Sequence, residues 1–439
     1  MTTKTTLTSW GHYPCLEATL LTPRDRAALL ETAARYPHWI ARGNGRSYGD
    51  AAIGQYTIST LHLRRILFFD AVQGIVHCEA GALLSDLVSL IVPAGWFFHV
   101  TPGTAAITVG GAIASDVHGK NHLTKGCFSD WLLDFELLDG DLQVRHCSRT
   151  ENSDLFWQTC GGMGWTGIVL SARFRLAPLH NTLLHKKTVK ALQLTDLFQA
   201  FEDNSPHFEY AAAWIDCTAT GAKTGRGAAY FANHDTEGPP TRPPHYTLPA
   251  TTSVPFFAPS FLLNRATIWA HNEALWQSAH NETTPTPLHR WFYPLDRIAH
   301  WNRLYGRRGL VQYQFCVPET TARPAFEAVL RTLRSCQLTP FLSVMKRHGE
   351  RPPEAIHSFP EKGYSLALDF PRTGAVLRCI PALDDLIWQY HGKIYLTKDA
   401  ASHPRMGRIA PATFAHPRCV SHLRERIEKT VDRGAFLNA

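Results

Sequence analysis

The nonapeptide RGNGRSYGD, residues 42–50, directly follows the extended segment HWIA and carries three glycines in seven residues. Glycine tolerates positive φ angles and close approach of the backbone to a ligand, so the N–H groups of such a loop can converge on an anion. Arg42 and Arg46 add positive charge. The stretch therefore predicts an anion-binding loop after a strand, with a plain surface turn as the alternative.

A second stretch, TPGTAAITVGGAIASDVHGKNH at residues 101–122, is long, rich in small residues and poor in charge until its polar end. Small residues over such a length indicate backbone lying flat against a large planar ligand. A tightly packed glycine-rich loop without a ligand is the alternative interpretation.

The third glycine cluster, residues 162–167, has the spacing G-x-G-x-x-G but the wrong context for a dinucleotide site. That site needs a strand before the glycines, a helix after them and an acidic residue about 20 positions further on. Here the helix-like Ser153–Thr159 precedes the glycines, an alternating strand at 168–176 follows, and Leu183–Lys187 contains no carboxylate. The dinucleotide fingerprint is therefore rejected.

Composition places the chain among ordinary globular proteins. It has 439 residues, 44% apolar and 18% charged, enough for two or three domains. The net charge of +7 is spread along the chain, which fits an anionic ligand or an acidic lipid surface better than nucleic acid. Ten scattered cysteines without a C-x-x-C pair predict reduced thiols, with no disulfide framework and no metal site.

Periodicity and turn residues predict the local elements. The proline-dense segment 237–260 predicts a surface loop, because proline disrupts helices and central strands. A strand-rich region is expected at 310–383. The other elements expected are helices at Pro23–Arg35, Leu83–Val92 and Ser421–Val431, paired strands at Tyr56–Phe69 and Gln73–Ala80, a hairpin of Phe135–Leu138 with Leu142–Cys147, and a short strand at Ile394–Thr397.

The two glycine-rich stretches, together with LFWQTCGGMGWTGIV at 155–169, resemble the FAD-binding domain of the vanillyl-alcohol oxidase/p-cresol methylhydroxylase superfamily. Within it, the chain is most similar to the flavin oxidases of decaprenylphosphoryl-β-D-ribose epimerisation. The segments that carry this similarity, in the same order, are YAAAWID (210–216), RWFYPLDRIAHWNRLYG (290–306), LVQYQFCVPE (310–319), LALDFP (366–371) and GKIYLTKDA (392–400).

The resemblance implies an α+β fold with a split FAD-binding domain of the p-cresol methylhydroxylase type. Residues 1–182 and 393–439 would form that domain and enclose a substrate domain, residues 183–392, built on an antiparallel sheet. The loop at 43–49 would wrap the FAD pyrophosphate, residues 108–119 would line the ribityl chain and isoalloxazine, and Ile168 would lie near the strand on the adenine side. The cofactor-binding residues implied are Arg42, Gly43, Asn44, Gly45, Arg46, Ser47, Tyr48, Gly49, Pro102, Gly103, Thr108, Val109, Gly110, Gly111, Ala114, Ser115, His118, Gly119, Ile168 and Tyr395.

Many members of the superfamily attach FAD covalently through a histidine in the first loop. Arg46 occupies the corresponding position in this chain. Arginine cannot form the histidyl–flavin bond, so we expect non-covalent FAD.

The resemblance also implies the catalytic residues Lys398 and His118. A lysine acts as a base only where burial or neighbouring cations depress its pKa, and otherwise it is an electrostatic anchor; both roles stay open here. Gln312 and Gln314 share one face of a strand, where they could bind sugar hydroxyls. The substrate-binding residues implied are Lys120, Trp214, Gln312, Gln314, Lys346, Ser365, Ala367 and Asp369.

The chain departs from the subfamily in the segment around residues 364–371. Ala367 stands where the best-known members have a cysteine, and Ser365 replaces an amide side chain. His348 replaces an aromatic pocket residue. Inhibitors that need the thiol are expected to fail, and the identity of the sugar is open.

The implied function is oxidation of a secondary hydroxyl of a polyprenyl-phosphate-linked pentose, the first half of an epimerisation. A separate NAD(P)-dependent short-chain reductase would reduce the ketone, and a quinone or oxygen would accept the electrons. The alternatives are an aldonolactone or alditol oxidase that uses oxygen, and a flavin-binding scaffold without catalysis. Because the N-terminus shows no apolar signal core, we expect a cytoplasmic protein, with Phe256, Phe257 and Phe261 as a peripheral contact to the inner membrane.

Overall fold

A computed structural model describes residues 2–237, 240, 242–249, 252–402 and 413–435. The first sheet, in the order β1-β2-β4-β3, pairs β3 and β4 in parallel and ends β3 at Arg42, where the glycine loop begins. Its helix α1 starts after Asp25, whose carboxylate accepts a hydrogen bond from Ala28 N at 2.8 Å. The elements are β1 Thr2–Thr8, β2 Cys15–Leu21, α1 Arg26–Arg35, β3 Ile40–Arg42 and β4 Tyr56–Ser59.

The second sheet has the order β5-β6-β10-β8-β9, with β7 also paired to β10. Its central strand β10 contacts two cores, because Ile168 packs with the first sheet and Val169 packs with the second. The elements are β5 Ile66–Asp70, β6 Ile75–Glu79, α2 Leu84–Ile91, β7 Trp96–Phe98, α3 Val109–Ala114, α4 His122–Lys125, β8 Leu132–Asp139, β9 Val144–Ser148, α5 Ser153–Thr159 and β10 Gly167–Pro178.

The predicted elements of this half are confirmed except at two places. Tyr56–Phe69 is two strands, because the chain turns at residues 60–65 and passes from the first sheet to the second. The half-buried alternation of β10 holds only at its carboxyl end, where Arg173 and Arg175 are exposed, since its first residues are covered on both faces. The β8–β9 hairpin and α5 form as predicted.

The third sheet is antiparallel, in the order β15-β11-β13-β12-β18-β19-β17-β20. Helices α6, α9 and α10 cover one face and bury a large apolar core. Its elements are β11 Leu183–Ala191, α6 Leu194–Asn204, β12 Tyr210–Ile215, β13 Gly227–His234, β15 Glu282–Pro287, β17 Leu310–Pro318, α9 Ala322–Ser335, β18 Leu342–His348, β19 Gly363–Pro371, α10 Gly374–Gln389 and β20 Lys393–Ile394. The segment 310–383 thus holds helices as well as strands, and the strand predicted at Ile394–Thr397 is shorter and begins one residue earlier.

The connections that complete the fold lie beside this sheet and at the C-terminus. They are β14 Thr252–Ser253, α7 Arg265–Ser278, α8 Leu288–Phe292, β16 Ile298–Ala299 and α11 His422–Ala435. The predicted terminal helix is therefore confirmed, and its residues Leu423 and Ile427 pack with Ile40 and Trp165 of the N-terminal region. In the described part of the chain, no helix is both long and apolar enough to span a bilayer.

The proline-dense segment differs in part from the surface loop expected. Tyr246 and Leu248 pack against the core of the second sheet, and Thr252–Ser253 pairs with Ile298–Ala299. Gly238, Pro239, Thr241, Ala250 and Thr251, which also belong to that predicted loop, lie outside the described residues.

The expectation of wholly reduced cysteines is wrong for one pair. Cys336 at the end of α9 and Cys379 in α10 form a disulfide, with Cα atoms 6.4 Å apart. The two helices pack side by side on the third sheet, which brings together cysteines 43 residues apart. Sequence spacing alone could not show this contact.

Candidate active site

A cavity of about 980 Å³ lies between the glycine-rich segments of the first two sheets and the open face of the third. Its volume is at the upper end of the range typical of ligand sites. Most of the residues singled out from the sequence line it. They are Gly43, Asn44, Gly45, Arg46, Ser47, Tyr48, Pro102, Gly103, Thr108, Gly110, Gly111, Ala114, Ser115, His118, Gly119, Lys120, Ile168, Gln312, Gln314, Lys346, Ser365, Ala367, Tyr395 and Lys398.

The glycine loop forms one wall and requires its glycines. A Cβ on Gly43 would lie 2.2 Å from Thr108 Oγ1, and Gly45 has a φ of +61°. Arg42 does not line the cavity, because its guanidinium donates to Thr8 O at 2.7 Å and to Ala52 O at 3.4 Å. Gly49 does not line it either, since its backbone contacts Asp399 so closely that a Cβ would lie 1.6 Å from the Asp399 carbonyl oxygen. Both residues hold the loop in place from behind.

Helix α3 continues this wall with small residues. Thr108 caps it by accepting a hydrogen bond from Gly111 N at 3.1 Å. Gly110, Gly111 and Ala114 line the cavity, whereas the side chain of Val109 is buried in the core of the second sheet. The helix turns the side chain of Val109 away from the cavity, and contact of Val109 with the cofactor stays a prediction.

The turn that follows α3 places His118 at the junction of the two walls. His118 Nε2 lies 3.4 Å from Gln314 Nε2 of β17. Burial, followed by the nearby Lys346, holds the pKa of His118 well below its usual value, so the ring is neutral. Asp116, buried beside it, accepts from Arg351 Nη2 at 3.0 Å, which ties this turn to the segment after β18.

Lys398 reaches the same junction from the C-terminal segment. Tyr395 N donates to Gln314 O at 2.9 Å, Lys398 N donates to Tyr395 O at 2.9 Å, and the lysine ammonium lies 3.8 Å from the centroid of the Tyr48 ring. Burial lowers the pKa of Lys398, and Asp369 opposes this shift.

Strand register arranges the third sheet's contribution in rows. Ala367 on β19 lies between Gln314 and Val344, and Ser365 lies beside Lys346. All of these side chains line the cavity. Period-two alternation therefore brings polar residues from three strands onto one face.

Two of the residues predicted to bind substrate do not line the cavity. Asp369 is buried and accepts a hydrogen bond from Gln312 Nε2. Trp214 on β12 is buried opposite Val344 and does not reach the opening. Asp369 is thus a support for Gln312, and the register places Trp214 one strand further away.

Sequence reasoning missed the contribution of residues 289–301, although part of this segment carried the family resemblance. Tyr293 Oη is 2.9 Å from Thr101 Oγ1, and Asp296 accepts from Thr104 Oγ1 at 2.6 Å and from Ala105 N at 2.7 Å. These bonds join residues 289–301, which lie between β15 and β17 in the chain, to the glycine-rich wall. No periodic pattern in 289–301 signals them.

The residues present fit an FAD molecule. The loop 43–47 offers closely packed backbone and the adjacent Arg46, as a pyrophosphate requires. Within the described residues, Arg46 Nε, His118 Nδ1 and Gln312 Oε1 are buried without a hydrogen-bond partner. Buried polar atoms are normally paired, so unpaired ones along the cavity indicate a polar ligand there.

Comparisons with known proteins agree with this geometry. Residues 19–148 match the family model of the FAD binding domain. The chain is 32% identical to decaprenylphosphoryl-β-D-ribose oxidase of Mycolicibacterium smegmatis over 98% of this chain and 95% of the relative. It is 32% identical to an uncharacterised Streptomyces coelicolor protein from the mprA 5′ region, over 74% of this chain and 90% of that protein. It is 29% identical to human Δ24-sterol reductase over 27% of this chain and 23% of that enzyme.

The third match covers 27% of this chain, whereas the first covers 98% of it and so includes both walls of the cavity. FAD is the cofactor of this protein. The chain is an FAD-dependent oxidoreductase and belongs to the family of FAD-linked oxidases that includes decaprenylphosphoryl-β-D-ribose oxidase.

Proposed function

We propose that the protein oxidises a secondary hydroxyl, of the sugar C2 type, in a polyprenyl-phosphoryl pentose to the keto sugar. The observation that carries this proposal is the convergence of Lys398, His118 and Gln314 where the glycine-lined wall meets the third sheet. The relative's activity on decaprenylphosphoryl-β-D-ribose, as its name states, supports the substrate class.

Oxidation of a secondary alcohol removes a hydride from carbon and a proton from oxygen. FAD, when bound, supplies the hydride acceptor. Lys398 takes the hydroxyl proton, because a buried lysine with a lowered pKa has an appreciable neutral fraction. Neutral His118 and Gln314 orient the hydroxyl by hydrogen bonds from the other side of the junction.

Lys346 and Lys120 supply charge for the phosphate of the substrate. Burial lowers the pKa of Lys120 to about 7 and that of Lys346 to about 8. In the described residues, neither ammonium forms an ion pair with a carboxylate. A phosphate bound nearby would stabilise both charges.

The FAD is held non-covalently. Arg46 occupies the loop position of the attachment histidine, and its guanidinium lies 4.1 Å from the centroid of the Trp10 ring. Acid precipitation of the purified protein tests this: flavin absorbance is expected in the supernatant, and flavin retained in the pellet would contradict non-covalent binding.

The domain organisation is of the split p-cresol methylhydroxylase type, with residues 1–182 and 393–439 around a substrate domain of residues 183–392. The packing of Leu423 and Ile427 against Ile40 supports the return of the C-terminal part to the FAD domain. So does the bridge between Trp39 and Cys419.

The ketone is then reduced by a separate NAD(P)-dependent short-chain reductase, which completes the epimerisation. A quinone or oxygen reoxidises the flavin. Release of hydrogen peroxide in the presence of oxygen distinguishes the two acceptors.

The protein works in the cytoplasm, bound peripherally to the inner membrane next to its lipid-linked substrate. Phe256 is 69% exposed and Phe261 is 73% exposed, and the guanidinium groups of Arg303 and Arg307 lie within 6 Å of the intervening Phe257 ring. The pairing of β14 with β16 places this basic aromatic patch beside the cavity lining. Aromatic and basic side chains together suit an anionic lipid surface.

Cosedimentation with phosphatidylglycerol vesicles tests the membrane contact. Phe256→Ser with Phe261→Ser is expected to release most of the protein, whereas Val72→Ser, an exposed apolar residue on the β5–β6 turn, is expected to change nothing. Equal binding by all three proteins would contradict this surface.

The visible spectrum of the purified protein tests the proposed reaction. Anaerobic addition of farnesylphosphoryl-β-D-ribose is expected to bleach the flavin bands. An unbleached flavin that is reduced by free lactones or alditols would favour the alternative of a soluble polyol oxidase.

A further inference from the structure

The cavity contains a polar pair that the reaction chemistry does not use. Ser365 Oγ lies 2.7 Å from His348 Nε2, and both side chains are almost completely buried. Ser365 lines the cavity, whereas His348 lies behind it, between the rings of His118 and His122 at 5.3 and 4.9 Å.

The ring of His348 is neutral, because burial and the neighbouring His122 and Lys346 hold its pKa well below the usual value. A neutral imidazole has one N–H group. Its Nδ1 has no partner in the described residues. A proton on Nδ1 would leave a buried donor unpaired and make Nε2 the acceptor, whereas a proton on Nε2 is used in the bond to Ser365. We assign the proton to Nε2.

With the proton on His348 Nε2, Ser365 can donate a hydrogen bond to a ligand. Its oxygen accepts from His348, so its own hydroxyl proton is available to the cavity. Lys346 is its direct neighbour on β18 and lines the same part of the wall. Lys120 adds a second ammonium close enough that Lys346 lowers its pKa. The carboxylate of Asp369 lies further along β19 and is engaged by Gln312.

We propose that Ser365 and Lys346 form an oxyanion-binding subsite for the phosphate of the substrate, with His348 as the positioning residue that keeps the serine hydroxyl a donor. The subsite has two neighbouring donors on paired strands. Among the described cavity-lining residues the one carboxylate is that of Asp296, which accepts hydrogen bonds from Thr104 and Ala105. Hydrogen bonds to charged groups are about twice as strong as neutral ones, so the hydroxyl contributes affinity for a phosphate oxygen and much less for an uncharged group.

The inference rests on the proposed function for the identity of the ligand, so its test uses binding and not turnover. The probe is farnesylphosphoryl-2-deoxy-β-D-ribose, which lacks the hydroxyl to be oxidised. Its dissociation constant is measured calorimetrically on the FAD-loaded full chain. The comparison ligand is methyl 2-deoxy-β-D-riboside, which lacks the phosphate.

Ser365→Ala is expected to raise the Kd of the phosphorylated probe about tenfold, the effect of one charge-assisted hydrogen bond. The Kd of the uncharged riboside is expected to stay within about twofold. Ser365→Thr keeps the hydroxyl and is expected to bind like the parent protein.

His348→Phe is expected to weaken binding of the phosphorylated probe in the same way while retaining FAD, and His348→Gln, which can still donate, is expected to restore it. In the double variant Ser365→Ala with His348→Phe, the two effects are expected not to add, since the histidine acts through the serine. Unchanged affinity in Ser365→Ala, or additive losses in the double variant, would overturn the proposal. If the parent protein binds the probe with this pattern but does not oxidise the ribose compound, the subsite stands and the proposed reaction fails.

Discussion

The two walls of the cavity differ in the groups that line them. The FAD-side wall consists of backbone and small residues, with Gly43, Gly110 and Gly111 packed against Thr108 and Ala80. The substrate-side wall consists of long polar side chains, such as Gln314 and Lys346, projecting from an antiparallel sheet. The backbone wall has no room for an added atom at Gly43, whereas a side-chain wall can exchange its groups without moving the strands.

The largest expected effect on cofactor binding is in the backbone wall. Gly43→Ala places a Cβ 2.2 Å from Thr108 Oγ1, so the loop must shift. The Kd for FAD is expected to rise by a factor of about 5 to 150, the effect of overpacking by about 1–3 kcal/mol. FAD titration of the apoprotein, followed by flavin fluorescence, measures it.

Gly374→Ala is the matched control for this change. Its new Cβ would meet only the end of the Arg378 side chain at 3.1 Å, and it lies at the start of α10. If both variants bind FAD like the parent protein, close packing at Gly43 is not needed for the cofactor.

The next expected effect is on kcat and comes from the junction of the two walls. Lys398→Met is expected to lower kcat by about 10² to 10⁴, the usual contribution of a general base. Lys398→Arg distinguishes base from anchor, because arginine keeps the charge but does not release its proton in this pH range. If Lys398 is the base, the kcat of Lys398→Arg is expected to be as low as that of Lys398→Met. A kcat of Lys398→Arg close to that of the parent protein would show that Lys398 is an electrostatic anchor. Lys429→Met, at an exposed position on α11, is the control.

A smaller effect is expected from pH on the substrate-side wall. Burial lowers the pKa of Lys346 to about 8, and this lysine must be protonated to attract phosphate. Its charged fraction falls about tenfold between pH 7 and 9, so the affinity for the phosphorylated probe is expected to fall by up to about tenfold as pH rises. Calorimetric titration at pH 7, 8 and 9 measures the change.

The other titratable groups around Lys346 affect the pH dependence of binding in different ways. His118, His122 and His348 stay neutral throughout because their pKa values are lowered, while Lys120 and Lys398 lose charge in the same direction as Lys346. Lys346→Met is expected to bind the probe weakly at pH 7 and to make the pH profile less steep, with the remaining decline due to Lys120 and Lys398. An affinity independent of pH in the parent protein would contradict a charged phosphate site.

The smallest effect on turnover is expected at Ala367. Ala367→Cys adds one sulfur atom to the side-chain wall and is expected to leave kcat within about twofold. The parent protein is expected to keep its activity in the presence of a thiol-directed inhibitor that enters the cavity, whereas the variant loses it. Equal sensitivity of both proteins would place the reactive thiol elsewhere.

The FAD-side wall could be predicted from the sequence more completely than the substrate-side wall. The glycine spacing in 42–50 and the small residues in 101–119 are local features that predict close backbone approach to a ligand. The structure places both stretches along the cavity. The side chain of Val109 does not line the cavity, because helical rotation, and not residue type, decides which side chains of α3 face it. Trp214 does not line the cavity, because it lies on β12, one strand beyond the lining residue Val344 of β18.

The sequence by itself predicted the glycine loop and the hairpin of the second sheet, since motifs and periodicity report short-range geometry. Its resemblance to a known family added the cofactor class and the candidate catalytic pair. Tertiary structure alone decided the disulfide between Cys336 and Cys379, the anchoring of Thr104 by Asp296 and the pairing of Ser365 with His348. Each of these joins residues from different elements. Their contact depends on strand register and helix packing, which arise from burial of the whole core and leave no local trace in the chain.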